Sequence, residues 1–96
     1  MEQELEKDEG VRDLFGVIAS LEDAAECARF FRDLCTLNEL KAMAERWRVA
    51  QMVSEDIPYR LISEQTGAST ATITRIAHWV NHGEGGYRLM LDKSEV

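Results

Sequence analysis

The sequence predicts an all-α fold, and three observations carry that prediction. No segment alternates apolar and polar residues with the period of two that a half-buried strand requires. Apolar residues recur instead at three- and four-residue spacing over most of the chain. The stretch IPYRLISEQTGASTATITR, Ile57 to Arg75, reads as a short helix, a glycine and a second helix, the outline of a helix-turn-helix.

Residues 1–10, MEQELEKDEG, are acidic with almost no apolar content and are expected to form a flexible tail. Residues 11–96 are expected to form a single helical domain. Val11, Leu14, Phe15 and Ile18 keep the i, i+3, i+4, i+7 spacing of a first amphipathic helix. Leu21-Glu22-Asp23 reads as a turn and a new start, with acids set against the positive end of the helix dipole. The second helix places Ala24, Cys27, Ala28, Phe31, Leu34 and Cys35 on one face. Thr36 followed by Glu39 has capping-box spacing and opens a third helix. Along it Leu37, Leu40, Ala44, Trp47 and Ala50 share a stripe, widened by Met43 and Val53, and the helix ends near Ser54-Glu55-Asp56.

The helix-turn-helix covers about residues 58–81, with helices over Tyr59 to Gln65 and Thr70 to Val80. Pro58 suits a first helical turn, where its missing N–H costs nothing and its φ is already helical. Gly67 supplies the backbone freedom of a sharp turn at a helix C-terminus. Ser69 or Thr70 offers a hydroxyl to cap the next helix. Ile62, Ala68, Ile73 and Ile76 are the positions that press the two helices together. The other face of the second helix then carries Thr70, Ala71, Thr74, Arg75 and His78, small hydrogen-bonding groups with one cation, suited to base edges. Asn81 to Gly86 break the chain, and Tyr87 to Leu91 form a last short helix.

Composition bounds the function. The net charge is −7, an unfavourable balance for a phosphate-binding protein. Its distribution answers the objection: Met1 to Leu40 holds four basic and eleven acidic residues, whereas Lys41 to Lys93 holds seven basic and six acidic. The local field at a groove outweighs the total charge. Cys27 and Cys35, eight positions apart on one helix, are separated by about 12 Å of rise, too far for a disulfide within it. They read as buried thiols of a reducing cytoplasm. No apolar run approaches a membrane span and no export leader is seen, so a cytoplasmic location is expected. The glycines at 83, 85 and 86 lack the strand or Gly-Lys-Ser/Thr ending of a nucleotide loop and read as a hinge. His78 and His82 have the i, i+4 spacing of metal ligands but no third ligand nearby. No Ser, His and carboxylate arrangement points to an enzyme, and neither metal nor cofactor is expected.

ASTATITR, preceded by the helix LKAMAERWRVAQMV, resembles the tryptophan repressor family, whose recognition helix carries an A-T-I-T-R run after a Gly-Ala turn. The resemblance covers roughly Thr36 to Trp79, with Thr36 beginning the helix and Arg46 ten residues on, as in the family. The RWRVAQ and GEGGY segments are more similar to a repressor-like bacterial branch whose ligand is unknown. The resemblance implies an intertwined homodimer acting on a double-stranded DNA operator. Phe15, Ile18, Phe30, Phe31, Leu34 and Trp47 are expected among its core and interface. It also implies base contacts near Thr70, Ala71 and Thr74, and at Arg60, which matches a guanine-contacting arginine; the alternative for Arg60 is a surface cation. Tyr59 and Ser63 replace longer polar residues, so the operator is expected to differ from the tryptophan operator.

A small-molecule effector site is implied at Thr36, Arg46 and Arg75, matching the residues that hold the family's indole ligand. L-Tryptophan is not the expected ligand. Ile76 stands where the family has a glycine, and Trp79 where it has a serine that helps hold the ligand's amino group. The Trp79 indole is expected to fill that space, leaving Arg46 and Arg75 to interface salt bridges and phosphate contact as the alternative to a ligand role. A sequence-specific regulator, a repressor, is the leading reading. The alternative is a protein–protein adaptor that keeps the helix-turn-helix without using it on DNA.

Overall fold

The structure, a computed structural model, describes residues 3–94. The described residues form helices and no strand: α1 Gln3–Lys7, α2 Glu9–Ala19, α3 Ala24–Leu34, α4 Leu37–Ser54, α5 Tyr59–Thr66, α6 Thr70–His82 and α7 Gly86–Ser94. They divide into two compact units, Met1–Leu40 and Lys41–Val96.

In the amino-terminal unit the starts of α2, α3 and α4 are fixed by side chains. The acidic segment expected to be flexible is helical from Gln3 to Lys7; Met1 and Glu2 lie outside the described residues. Asp8 caps α2 by accepting the Val11 N–H at 3.0 Å. Asp23 caps α3 by accepting the Glu26 N–H at 2.8 Å, and Glu26 reaches back to the Glu22 N–H at 3.0 Å. The capping box at α4 is present in both directions: Thr36 N–H donates to Glu39 Oε1 at 2.8 Å, and Glu39 N–H donates to Thr36 Oγ1 at 3.1 Å. These bonds hold the Glu39 carboxyl below its ordinary value of 4.5, the Thr36 backbone N–H being the largest cause. The Phe30 and Phe31 rings meet edge to face, with centroids 5.7 Å apart.

Neither α2 nor α3 has a buried residue. The six residues expected in the core and interface of a dimer are therefore not buried within one copy of the chain. Phe15 is 49% exposed and Leu34 47%, while Ile18, Phe30, Phe31 and Trp47 are only half-buried. Cys27 and Cys35 are free thiols, half-buried rather than buried.

The carboxy-terminal unit holds the core. Val49, Ala50 and Met52 of α4 meet Ile62 of α5, Ala68 of the turn, Ile73, Ile76 and Val80 of α6, and Leu91 of α7. Of the stripe expected on α4 only Ala50 is buried; Val49 and Met52 replace its neighbours, because α4 is apolar on more than one side. The four positions expected to join the helix-turn-helix, Ile62, Ala68, Ile73 and Ile76, are all buried. α4 ends in a Schellman arrangement: Asp56 N–H bonds Val53 C=O at 3.0 Å and Ile57 N–H bonds Met52 C=O at 3.1 Å, with Asp56 left-handed at φ 59°. Pro58 sits one position before α5, its carbonyl accepting the Ile62 N–H at 3.1 Å. No helix among the described residues is long and apolar enough to cross a membrane.

Candidate nucleic-acid interface and adjoining cleft

The turn between α5 and α6 is built by short polar side chains around one left-handed glycine. Gly67 has φ 80° and its N–H bonds the Ser63 carbonyl at 2.9 Å. Thr66 Oγ1 donates to the Ile62 carbonyl at 2.7 Å and accepts the Ala68 N–H at 3.1 Å. Ser63 Oγ donates to the Ala68 carbonyl at 2.7 Å. Ser63, expected at the DNA surface, therefore spends its proton on the turn and is half-buried. Ser69, rather than Thr70, caps α6, accepting the Thr72 N–H at 3.1 Å. The Thr70 hydroxyl is left outside the cap.

With Ile73, Ile76 and Ala77 turned inward, α6 exposes Thr70, Ala71, Thr74, Arg75 and His78 on its other side. Arg60 is exposed on α5. The structure thus places every expected DNA-facing residue but Ser63 on the exposed surface of the two helices. His78 and His82 lie with ring centroids 5.3 Å apart. Among the described residues no group of three or more His, Cys, Asp or Glu is placed to hold a metal ion.

Arg46 and Arg75, expected to share an effector site, do line one cleft of about 380 Å³, together with Thr72, Ile76, Trp79 and Tyr87. Trp79 does not fill it: the indole is 48% exposed and forms a wall. That expectation took added volume to mean an occupied space, whereas α6 directs Trp79 to the surface beside buried Val80. Burial pushes the Tyr87 phenol above its ordinary value, and the positive charge of Arg46 draws it partly back. Thr36 caps α4 in the amino-terminal unit. Thr72 and Tyr87 were not legible as cleft residues. Thr72 belongs to the uniform ATIT run, and Tyr87 arrives only through the Gly-rich bend before α7.

The described features coincide with those of known proteins. The sequence model of the family described as Trp repressor protein matches residues 9–95. Uncharacterized protein YerC of Bacillus subtilis (strain 168) is 49% identical over 80 residues, 83% of this chain and 77% of that protein. The crystal structure of a TrpR-like protein from Eubacterium eligens superposes with a TM-score of 0.92 at 40% identity, over 99% of this chain and 97% of that one. A putative Trp repressor from Staphylococcus aureus superposes with a TM-score of 0.90 at 36% identity, over 100% of this chain and 96% of that one. Fold, helix-turn-helix and sequence agree: the chain belongs to the Trp repressor family, a family of DNA-binding regulators.

Proposed function

We propose that this chain is a sequence-specific DNA-binding repressor that acts as a homodimer in the cytoplasm, with residues 11–96 working as one DNA-binding domain. The observation that carries the reading is the exposed face of α6, where Thr70, Ala71, Thr74, Arg75 and His78 stand clear while Ile73 and Ile76 anchor the helix beneath them. A helix entering the major groove needs that division, with a rigid apolar underside and short donors at its leading end. Arg60 on α5 adds a guanidinium able to pair with guanine through two hydrogen bonds. The dimer is supported by the amino-terminal unit, whose helices carry Phe15, Val17 and Leu34 largely exposed. Apolar faces of that kind are stable when a second copy covers them.

Selection of bound fragments from a genomic DNA pool, at low and at physiological salt, tests the reading. A selected motif with two half-sites about 34–36 Å apart is expected. Absence of any retained DNA at low salt would leave the adaptor reading, which the acidic excess of the first forty residues favours.

A further inference from the structure

We propose that His78 and His82 form a binding site for a divalent transition-metal ion on the exposed face of α6. They are the two histidines of the chain, both exposed and one turn apart within α6. Residues at i and i+4 share a helix face, so the backbone alone sets both side chains on one side. The rings use that placement: their centroids lie 5.3 Å apart, with the planes tilted at 45°. Neither imidazole shares a hydrogen bond or an ion pair with another described residue, so each keeps a ring nitrogen for an outside partner.

The separation fits a shared ion. An imidazole nitrogen binds such an ion at about 2.0–2.1 Å, which puts the ring centroid about 3.2 Å from it. Two ligands at a bond angle of roughly 90–110° then hold their centroids about 4.5–5.2 Å apart. The observed distance stands just beyond that range, within reach of a small side-chain rotation. Two protein ligands leave the other coordination positions to water or to an incoming ligand atom. Imidazole selects Cu²⁺, Ni²⁺ and Zn²⁺, whereas Mg²⁺ and Ca²⁺ prefer oxygen. His82 closes the last turn of α6, where the negative end of the helix dipole favours a cation. Arg75, one turn before His78, lines the cleft with Thr72, Ile76 and Trp79, and neither histidine lines that cleft.

The histidine face is the face offered to DNA, and a bound ion adds two positive charges there in a chain of net charge −7. That consequence rests on the DNA-binding reading; the site itself does not. The binding test is therefore run without DNA. The full chain, free of added histidines, is titrated with Ni²⁺, Cu²⁺, Zn²⁺ and Mg²⁺ by calorimetry, and with Zn²⁺ by NMR of the imidazole ring protons. One ion per chain is expected, with Cu²⁺ tighter than Ni²⁺ or Zn²⁺ and Mg²⁺ silent. Zn²⁺ is expected to move the ring signals of both histidines together at micromolar concentration. His78→Gln and His82→Gln are each expected to lower Ni²⁺ affinity at least about tenfold. Both residues are exposed, so the variants fold, which circular dichroism verifies. Cys27 and Cys35, free thiols, are the competing ligands, and the double variant Cys27→Ser, Cys35→Ser is expected to bind Ni²⁺ as the wild type does.

Ring signals unmoved by Zn²⁺ below millimolar concentration overturn the proposal, since any binding is then adventitious. Equal Ni²⁺ affinity in the wild type and both histidine variants overturns it as well. Loss of binding in the cysteine variant overturns it in favour of a thiolate site. A mobility shift with DNA, run separately on the wild type and His82→Gln, decides the consequence: Ni²⁺ binding without any change in DNA retention keeps the site and removes its link to DNA.

Discussion

At Gly67 the backbone turns with φ 80°, and a Cβ added there meets nothing within 4 Å. The cost of Gly67→Ala is therefore backbone strain alone, about 1 kcal/mol, read as a lower urea midpoint at unchanged slope. Gly83 is the opposite case. Its φ of −84° is ordinary, but a Cβ would lie 2.5 Å from the Trp79 carbonyl oxygen, so any substitution shifts the end of α6. Asp56 holds a left-handed site that glycine occupies without strain. Asp56→Gly is expected to stabilise the chain by roughly 0.5 kcal/mol, as a raised urea midpoint. On the proposed DNA reading, Arg60 is the residue whose substitution tests a base contact. Arg60→Ala is expected to remove about 1–3 kcal/mol of discrimination at one base pair per half-site, and an unchanged selected motif would count against its contact.

Among the elements, α4 has a start that responds to pH. The Glu39 carboxyl has its value lowered by the Thr36 bonds, so its contribution is complete above 4.5, the ordinary value, and is lost as pH falls through the lowered folded value. Thr36→Ala removes the hydroxyl that caps α4 and with it the smaller, side-chain cause of that shift, while the backbone N–H, the larger cause, remains. A stability loss of about 1 kcal/mol is expected near neutral pH, together with a weaker decline in strongly acidic solution, measured by urea unfolding across pH. The α5–α6 pair depends on burial instead. Ile73 is fully buried, and Ile73→Ala is expected to cost about 2–5 kcal/mol and to loosen the recognition helix, abolishing DNA retention before the other helices melt. This pair was the most legible part of the chain. Pro58, Gly67 and Ser69 each impose one local geometry, and the isoleucines between them have one apolar side to choose. The α4 stripe was less legible. A helix with apolar residues on several sides leaves periodicity without a unique inward face.

For the whole molecule the expected state is a homodimer. The amino-terminal unit exposes Leu5, Phe15, Val17 and Leu34, and Phe15→Glu is expected to shift sedimentation equilibrium toward monomer while leaving the helix-turn-helix intact. A wild-type chain that sediments as a folded monomer at micromolar concentration would refute the dimer. The weak basic excess of the second half predicts a modest salt slope for DNA binding, because few phosphates are neutralised.

The sequence by itself determined the helices from α2 onward, the Thr36–Glu39 capping box and the inward face of the helix-turn-helix, but not α1, in a segment expected to be flexible. Those depend on interactions three or four residues apart, which the order of residues displays. Tertiary structure alone decided that Trp79 walls a cleft instead of plugging it, and that Tyr87 joins Arg46 and Arg75 there. It also decided that the phenylalanines of α2 and α3 find no core within the chain. Each of these depends on which surfaces meet across many residues of separation, and a pattern of local spacing carries no record of that meeting.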